Sequence, residues 1–510
     1  MGPRSIVNRR SKRRAQDPEK KKKKRMTMMT PSSRSRRRRI PLLLPTTTTT
    51  KTLTILAAAL LLLLPGVSST PPALPVNAQL VVRQIEQLGA LSAAPAPAVT
   101  RVLYTERDVA ARGFVKGLMT SAGLEVREDA LGNIYGRLVG ARPDLAPVVS
   151  GSHTDAIPHS GKYDGVVGIL GAIEALRAIR ASGLRLERSV DALMFTSEEP
   201  TRFGLSCIGS RAMCGRLDAD HLDSLRDENG TAFLDALKSA GYARTTATTK
   251  DAVDAALVAK GDIHAFVELH IEQGPILERD GLDIGVVTAI AAPASATFDF
   301  TGNGGHAGAL LMPYRRDAGL CAAELALSVE QWALGTGAID TVATAGVVQI
   351  SPGAVNSVPR EAHVEVDVRD IDEARRDGVL GSIIKSAEVI AKKRGAEVTH
   401  RVINQDPPAP CADSVIDAVQ SAADGLGLKS TRMVSRAYHD ALFMAQIAPT
   451  GMIFIPCKDG VSHRPDEYSS PKEIEKGIRT LAAAMINLAG RVQNPSSGGS
   501  DSSSKDKQEL

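Results

Sequence analysis

Apolar residues along this chain fall into two spacings that alternate. Short runs rich in branched side chains occupy residues 147–150, 190–196, 266–269 and 452–455, and polar residues follow each one at once. After the first run, Val166, Ile169, Leu170, Ile173, Leu176 and Ile179 recur at helical spacing, which predicts a helix beginning just past Asp164. Strands alternating with helices predict an α/β fold with a mainly parallel sheet. No internal repeat is visible.

From about Ala291 the pattern changes. Residues 297–301, 343–349 and 363–369 read as strands, and residues 317–332 and 372–393 as helices. Ala362, Val364, Val366 and Val368 point one way, and Glu361, His363, Glu365, Asp367 and Arg369 the other, the period of two that a half-covered strand requires. This β-α-β-β-α order predicts a small α+β sandwich over residues 291–405, inserted between two parts of the larger domain at 79–290 and 406–492. A head over residues 1–78 and a Ser-rich tail over 493–510 complete the expected organisation.

Composition supports a packed protein of more than one domain: 510 residues, 43% hydrophobic and 23% charged, exclude general disorder. Aromatics are only 3%, with Trp332 the single tryptophan, so the cores must be built from Ala, Val, Leu and Ile. No aromatic platform for stacking nucleic-acid bases is in view. The net charge of +5 conceals an uneven distribution. Residues 1–52 hold 18 Lys or Arg against Asp17 and Glu19, which leaves 44 basic and 55 acidic residues, a balance of −11, for the rest. The basic excess belongs to the head, and nucleic-acid binding by the folded part is disfavoured. Cys207, Cys214, Cys321, Cys411 and Cys457 are too few and scattered for a disulfide framework and read as small buried apolar residues.

The head contains residues 53–64, apolar except for Thr54. Twelve residues fall short of the roughly 20 of a membrane span and match the roughly 7 to 15 of a signal-peptide core. A signal peptide is expected, with an uncleaved anchor as the alternative and membrane association only in that case. Val76, Asn77 and Ala78 offer a cleavage site, residues 67–69 a rival, and Met26, Met28 or Met29 alternative starts. The chain closes with Lys507, Gln508, Glu509 and Leu510, which resembles a KDEL-type retrieval signal but departs from it at Gln508. The two ends together imply the lumen of the endoplasmic reticulum.

Candidate chemistry collects where the predicted parallel strands stop. The first leads into His153 and Asp155, with Asp164 nine residues further on; the second ends at Glu198 and Glu199; the third at His270; the last is followed by His463. Ligands gather beyond the carboxyl ends of strands in open α/β sheets, so five possible metal ligands converge. Imidazole and carboxylate suit borderline divalent ions, and a shared carboxylate allows a pair about 3.5 to 4 Å apart. A two-metal hydrolase is predicted. Asp155 is expected to accept the other ring N–H of His153 and fix its tautomer. Of the adjacent Glu198 and Glu199, one can bind metal while its neighbour faces the attacking water. Residues 302–305 are glycine-rich but lack the Lys and Ser/Thr of a phosphate loop, and no GxSxG nucleophile motif is present.

The motifs HTD, YDG, SEEPTRFG, ELHIEQGP, GGHAG, PGAVNSVP and DVRDID resemble the dinuclear amidohydrolases of the carboxypeptidase and aminoacylase superfamily. The nearer likeness is to the branch containing N-carbamoyl amino acid hydrolases and allantoate amidohydrolases, over roughly residues 79–490. Within it DAIPHSGKYDGVVG, IAAPAS and RAYHDALFMA are most similar to the plant ureidoglycolate amidohydrolases. The resemblance implies a catalytic domain with an inserted dimerisation or lid domain, and a homodimer joined through that insert. His153 and His270 would share one metal, Glu199 and His463 would hold the other, Asp164 would bridge, and Glu198 would be the general base. Manganese is the implied metal. Where many peptidases of the superfamily have a carboxylate this chain has His270, which argues against an ordinary peptidase.

The same resemblance makes Arg369 a clamp for a substrate carboxylate, with Asn356 and Gln273 as polar partners; the competing reading is an ion pair with Asp367 or Asp370. His306 is expected to reach the partner subunit's site and stabilise the oxyanion there. Tyr438 and His439 are candidates for substrate shape selection or for support behind the metal ligands, and His159, His221, His264, His363 and His400 read as structural or surface residues. The expected reaction is hydrolysis of the ureido C–N bond of (S)-ureidoglycolate, giving glyoxylate, ammonia and carbon dioxide in purine and allantoin catabolism. Allantoate or an N-carbamoyl-L-amino acid is the nearest alternative substrate. A non-catalytic binding protein of the secretory pathway on this scaffold is a different class, and the intact ligand set speaks against it.

Overall fold

The computed structural model describes residues 73–242 and 247–492. The basic head, the apolar run at 53–64 and the Ser-rich tail lie outside the described residues, as do the signal-peptide and retrieval-signal expectations that rest on them. Among the described residues no helix is long and apolar enough to cross a membrane.

In chain order the main strands are β1 (Glu125–Glu128), β2 (Ile134–Leu138), β3 (Val148–Ser152), β4 (Val190–Met194), β5 (Ala265–Ile271), β6 (Ile284–Ile290), β7 (Ala292–Thr301), β8 (Val342–Ser351), β9 (Glu361–Asp370), β10 (Glu397–Gln405), β11 (Ala409–Pro410), β12 (Ser430–Ser435) and β13 (Thr450–Ile455). The principal helices are α1 (Ala78–Gly89), α2 (Val166–Ala181), α3 (Ala318–Gly335), α4 (Glu373–Arg394), α5 (Asp413–Gly425) and α6 (Pro471–Ala489).

Nine strands form the larger sheet, in the order β11-β6-β13-β5-β3-β4-β2-β1 with β12 parallel beside β6. Its centre, β13-β5-β3-β4, is parallel, whereas β1, β2, β6 and β11 pair antiparallel. The sheet is therefore mixed, and the expected parallel character holds at its centre. The four central strands are buried along their whole length, as strands covered on both faces must be. Helices α2 and α6 pack on them and on each other.

The packed body begins a few residues before position 79. Asn77 caps α1, its side chain accepting the N–H of Leu80, while its own N–H donates to the buried carboxylate of Glu174. Arg177 donates to the carbonyl of Pro75, and Leu74 is buried in the main core.

Strands β7 to β10 make a second, wholly antiparallel sheet in the order β8-β9-β7-β10, with α3 and α4 on one face. Ala362, Val364, Val366 and Val368 point under the helices beside Phe298, Phe300, Leu325 and Ile383 in a core of their own. The alternation in β9 therefore selects its buried face as the sequence predicts. Asp317 and Asp372 cap α3 and α4. Strand β10 is the element the sequence pattern did not announce: it is an edge strand with polar residues on both faces and a bulge between Val402 and Asn404.

Candidate metal centre

The ends of the central strands deliver the expected residues to one place. His153 follows β3, Glu198 and Glu199 follow β4, and His463 lies in the loop between β13 and α6. His270 sits inside β5, one residue before its end, and not beyond it. Asp164 immediately precedes Gly165, the N-cap of α2. The glycine is required twice over: φ is +65°, and a Cβ there would come within 2.3 Å of the His153 ring. His153, Asp164, Glu198, Glu199 and His270 are buried, while the His463 side chain is half exposed.

Asp164 divides its two oxygens. Oδ1 lies 3.0 Å from His270 Nε2 and 3.6 Å from His153 Nε2, and Oδ2 lies 3.2 Å from His463 Nε2, which is itself 3.4 Å from Glu199 Oε1. His153 Nδ1 is 3.0 Å from the carbonyl of Asp155, and His270 Nδ1 is 2.8 Å from the carbonyl of Ile271. A carbonyl only accepts, so both Nδ1 atoms carry hydrogen and both Nε2 atoms are turned to the Asp164 carboxylate. That arrangement requires a cation or protons. Burial pulls the Asp164 carboxyl up, yet hydrogen bonds with His153, His270 and His463 hold it well below the usual range. The same bond to Asp164 raises His463 to about 9. Among the described residues the donors form three groups; His153, Asp164 and His270 share Asp164 with Asp164, Glu199 and His463, and these two fit two divalent ions joined by one carboxylate, while Glu268, His270 and His439 form the third.

Asp155 differs from expectation. Its carboxylate stands 3.5 Å from His153 Nδ1, and the backbone carbonyl takes the ring proton instead. The carboxylate accepts the backbone N–H groups of Glu198 at 3.1 Å and Glu199 at 2.9 Å. It thereby shapes the turn that separates the two glutamates, where Ser197 has φ +56°. Burial pushes Glu198 well above the ordinary carboxyl range, with Glu199 and Asp440 adding to it and His153 opposing. Glu199 rises to about 7, again through burial first and Asp164 second. A carboxyl with high proton affinity beside a metal pair has the character of a general base.

A cleft of about 520 Å³ opens over these groups, lined also by Gln273, Arg369, Tyr438 and His439. Gln273 donates to Asp164 Oδ2 at 2.7 Å. Arg369 is engaged through Nε with Asp367 at 2.8 Å, the competing pairing, and shares the cleft with Gln273. Tyr438 is held by Arg211 and Asp406, at 2.8 and 2.6 Å from its hydroxyl. His439 lies edge-on to His270, and burial keeps its imidazole well below the usual value. His306 and Asn356 are not in the cleft: both are exposed, next to the short pairing of Gly305–His306 with Ser357–Val358 on the insert. His363 is paired on the surface with Asp299 and Glu365. All five cysteines are free, and four are buried; Cys207 lies 3.8 Å from Glu198.

Sequence reasoning missed a supporting layer. Glu268 accepts from Ser152 and from the N–H of Ala441, Asp440 accepts from Ser210, and Glu467 binds the loop that carries Asp164. Glu268 and Asp440 stand inside the motifs ELHIEQGP and RAYHDALFMA, whereas Glu467 gave no local signal.

The profile of peptidase family M20/M25/M40 matches residues 149–487. Ureidoglycolate hydrolase of Arabidopsis thaliana is 54% identical over 420 residues, covering 82% of this chain and 88% of the relative. Ureidoglycolate hydrolase of Oryza sativa is 55% identical over 409 residues, covering 80% and 84%. Solved structures of AtUAH with (S)-hydroxyglycine and with glyoxylate superpose with a TM-score of 0.75 at 53% identity, covering 82% of this chain and 98% of the other. Allantoate amidohydrolase of Escherichia coli is more distant, at 32%.

Proposed function

The chain belongs to peptidase family M20/M25/M40, and from that premise we propose that it hydrolyses (S)-ureidoglycolate. It is a hydrolase acting on a ureido C–N bond, with glyoxylate, ammonia and carbon dioxide as the final products. The observation that carries this reading is the His153, Asp164, Glu198, Glu199, His270 and His463 constellation, present in a chain 54% identical to a ureidoglycolate hydrolase.

His153 and His270 would hold one divalent ion, Glu199 and His463 the other, and Asp164 both. Bound there, such ions supply Lewis-acid polarisation and make water more acidic. Glu198 takes a proton from the attacking water as oxygen adds to the ureido carbonyl carbon. When the terminal C–N bond breaks, its electron pair leaves with nitrogen, and Glu198 returns the proton so that ammonia departs; the carbamate left behind loses carbon dioxide to give hydroxyglycine, whose C–N bond then breaks to release a second ammonia and glyoxylate. The guanidinium of Arg369, at the cleft wall, exchanges Asp367 for the substrate carboxylate. Asp155 keeps Glu198 and Glu199 facing different ways through their backbone N–H groups.

Manganese is the proposed metal, supported by a donor set of imidazole and carboxylate without thiolate. A homodimer through the insert is proposed as well, supported by apolar residues exposed on α3 and on the unpaired edge of β8. In that assembly His306 of one protomer would serve its partner's site. The endoplasmic reticulum lumen is the proposed compartment, resting on the apolar run at 53–64. Because Leu74 to Asn77 pack against the body, leader removal near residues 67–69 suits the fold better than a cut after Ala78. Amino-terminal sequencing of the protein from its own tissue would test this, and cytosolic protein with an intact head would refute it.

A manganese-supplemented ammonia-release assay over ureidoglycolate, allantoate and N-carbamoyl amino acids tests the function. Ureidoglycolate should be turned over far faster than the others. Preference for allantoate would overturn the substrate assignment while leaving the family intact.

A further inference from the structure

Glu467 is buried, at 3% exposure, in the loop that carries His463. Its Oε1 accepts the backbone N–H groups of Tyr163 at 2.8 Å and Asp164 at 2.9 Å. Its Oε2 lies 3.0 Å from Ser462 Oγ, which is also 2.9 Å from Asp164 Oδ2. Gln273 completes the link, its Nε2 reaching Ser462 Oγ at 3.2 Å and Asp164 Oδ2 at 2.7 Å. One carboxylate thus joins two loops about 300 residues apart in sequence, one carrying the bridging Asp164 and the other His463. The fit around it is close: a Cβ on Gly161 would come within 2.5 Å of Glu467 Cβ and its carboxyl carbon. Gly161 has no positive φ to explain it, so contact with Glu467 is what demands the missing side chain.

We propose that Glu467 is a positioning residue for the metal pair: by clamping the Tyr163 and Asp164 backbone and, through Ser462, the Asp164 carboxylate, it sets the bridging ligand against His463. This rests on the two-metal reading above. Glu467 belongs to none of the donor groups and does not line the cleft. Its action is to remove freedom from two loops that must converge, which is how groups behind a metal ligand raise affinity.

The test is calorimetric titration of metal-stripped protein with Mn2+, run beside circular dichroism of the same stripped samples. Glu467→Ala should bind Mn2+ about 10- to 100-fold more weakly, the usual cost of losing such support. Glu467→Gln should restore most of the affinity, since its carbonyl oxygen can still accept both N–H groups and its amide can donate to Ser462. Gly161→Ala, which leaves every ligand in place but displaces Glu467, should weaken binding as well. If Glu467→Ala fails to fold, the other two variants carry the test. Wild-type affinity in Glu467→Ala or in Gly161→Ala would overturn the proposal. Equal weakness in the Gln and Ala variants would also overturn it, because charge and not hydrogen-bond geometry would then be responsible. Wild-type protein that takes up no metal pair would instead bring down the two-metal reading, and this inference with it.

Discussion

Glu198 and Glu199 are adjacent in sequence, and the turn at Ser197, tied by Asp155, is what would let them take the different tasks proposed for them. Glu198→Gln should keep both metals and lose on the order of 100- to 10,000-fold in turnover, the usual share of a general base. Glu199→Gln should lower metal content. Metal analysis of both purified variants checks the division, and equal content would show it to be wrong. The same groups set a pH dependence. Glu198 and Glu199 are raised by burial, and His153, His270 and His463 by their carboxylate partners in spite of burial. Each therefore binds protons to a higher pH when folded than when unfolded, so its contribution to stability is lost as pH rises through the folded value, about 7 for Glu199 and about 9 for His463. Asp164, held low, is ionised throughout that window and adds no slope to it. Divalent ions replace the protons, so the gain in Tm on adding Mn2+ should be larger at pH 8.5 than at pH 6. A gain that shrinks with pH would contradict the assigned ligand set.

At the scale of elements, the seating of α2 on the sheet controls where Asp164 stands. Gly168 touches the strands directly: a Cβ there would meet the carbonyl oxygen of Leu269 at 2.3 Å and the Ser152 side chain at 2.6 Å. Gly168→Ala should cost about 1–3 kcal/mol as overpacking and weaken metal binding, because the helix must lift with its N-terminus. Gly378, inside α4, has open space around it. Gly378→Ala should stabilise by about 0.4–1 kcal/mol through loss of unfolded-chain freedom. Denaturant melts of the two variants give opposite signs if the packing is as described. The sheets also show what local pattern encodes. Strand β9 declares its faces through alternation, whereas β10, with the sequence Glu-Val-Thr-His-Arg-Val-Ile-Asn-Gln, declares none, because this edge strand is mostly exposed and sets little beyond Val398 against the core.

For the molecule as a whole, the insert leaves much apolar surface uncovered. Leu327, Leu334 and Ile339 are 61, 74 and 84% exposed around α3, and Val348 and Ile350 lie on the open β8 edge. Edge strands with apolar side chains are templates for pairing, and a two-fold axis there makes a closed dimer. Sedimentation should report a dimer, and Val348→Lys should shift it toward monomer. If His306 of one protomer completes its partner's site, inactive His306→Ala and inactive Glu198→Gln chains should regain activity on mixing and reassembly. One of the two sites in such a mixed dimer is whole, so about half the wild-type rate per dimer is expected from the symmetry of the pair. Mixed dimers as inactive as their parents would show that His306 acts within its own chain or only structurally.

What the chain alone determined is what repeats or what chemistry marks: helix α2, strand β9, the α/β order, and the gathering of His153, Asp164, Glu198, Glu199, His270 and His463 as candidate metal-centre residues. Tertiary structure decided the rest. Whether a strand pairs parallel or antiparallel depends on connections made over long separations, so the outer strands of the larger sheet could not be read locally. Asp155 was expected to orient His153, and it orients the Glu198–Glu199 turn instead, because β4 sits beside β3 in the sheet and brings those N–H groups within reach. Arg369 carries a clamp's chemistry, yet here its partner is Asp367, two positions away on the same face of β9. Glu467 is the extreme case: a lone glutamate in a loop has no pattern, and its meaning comes only from burial against two N–H groups some 300 residues earlier in the chain. Period and residue type are local properties and survive in a string of letters. A hydrogen bond between distant loops exists only once packing has brought them together.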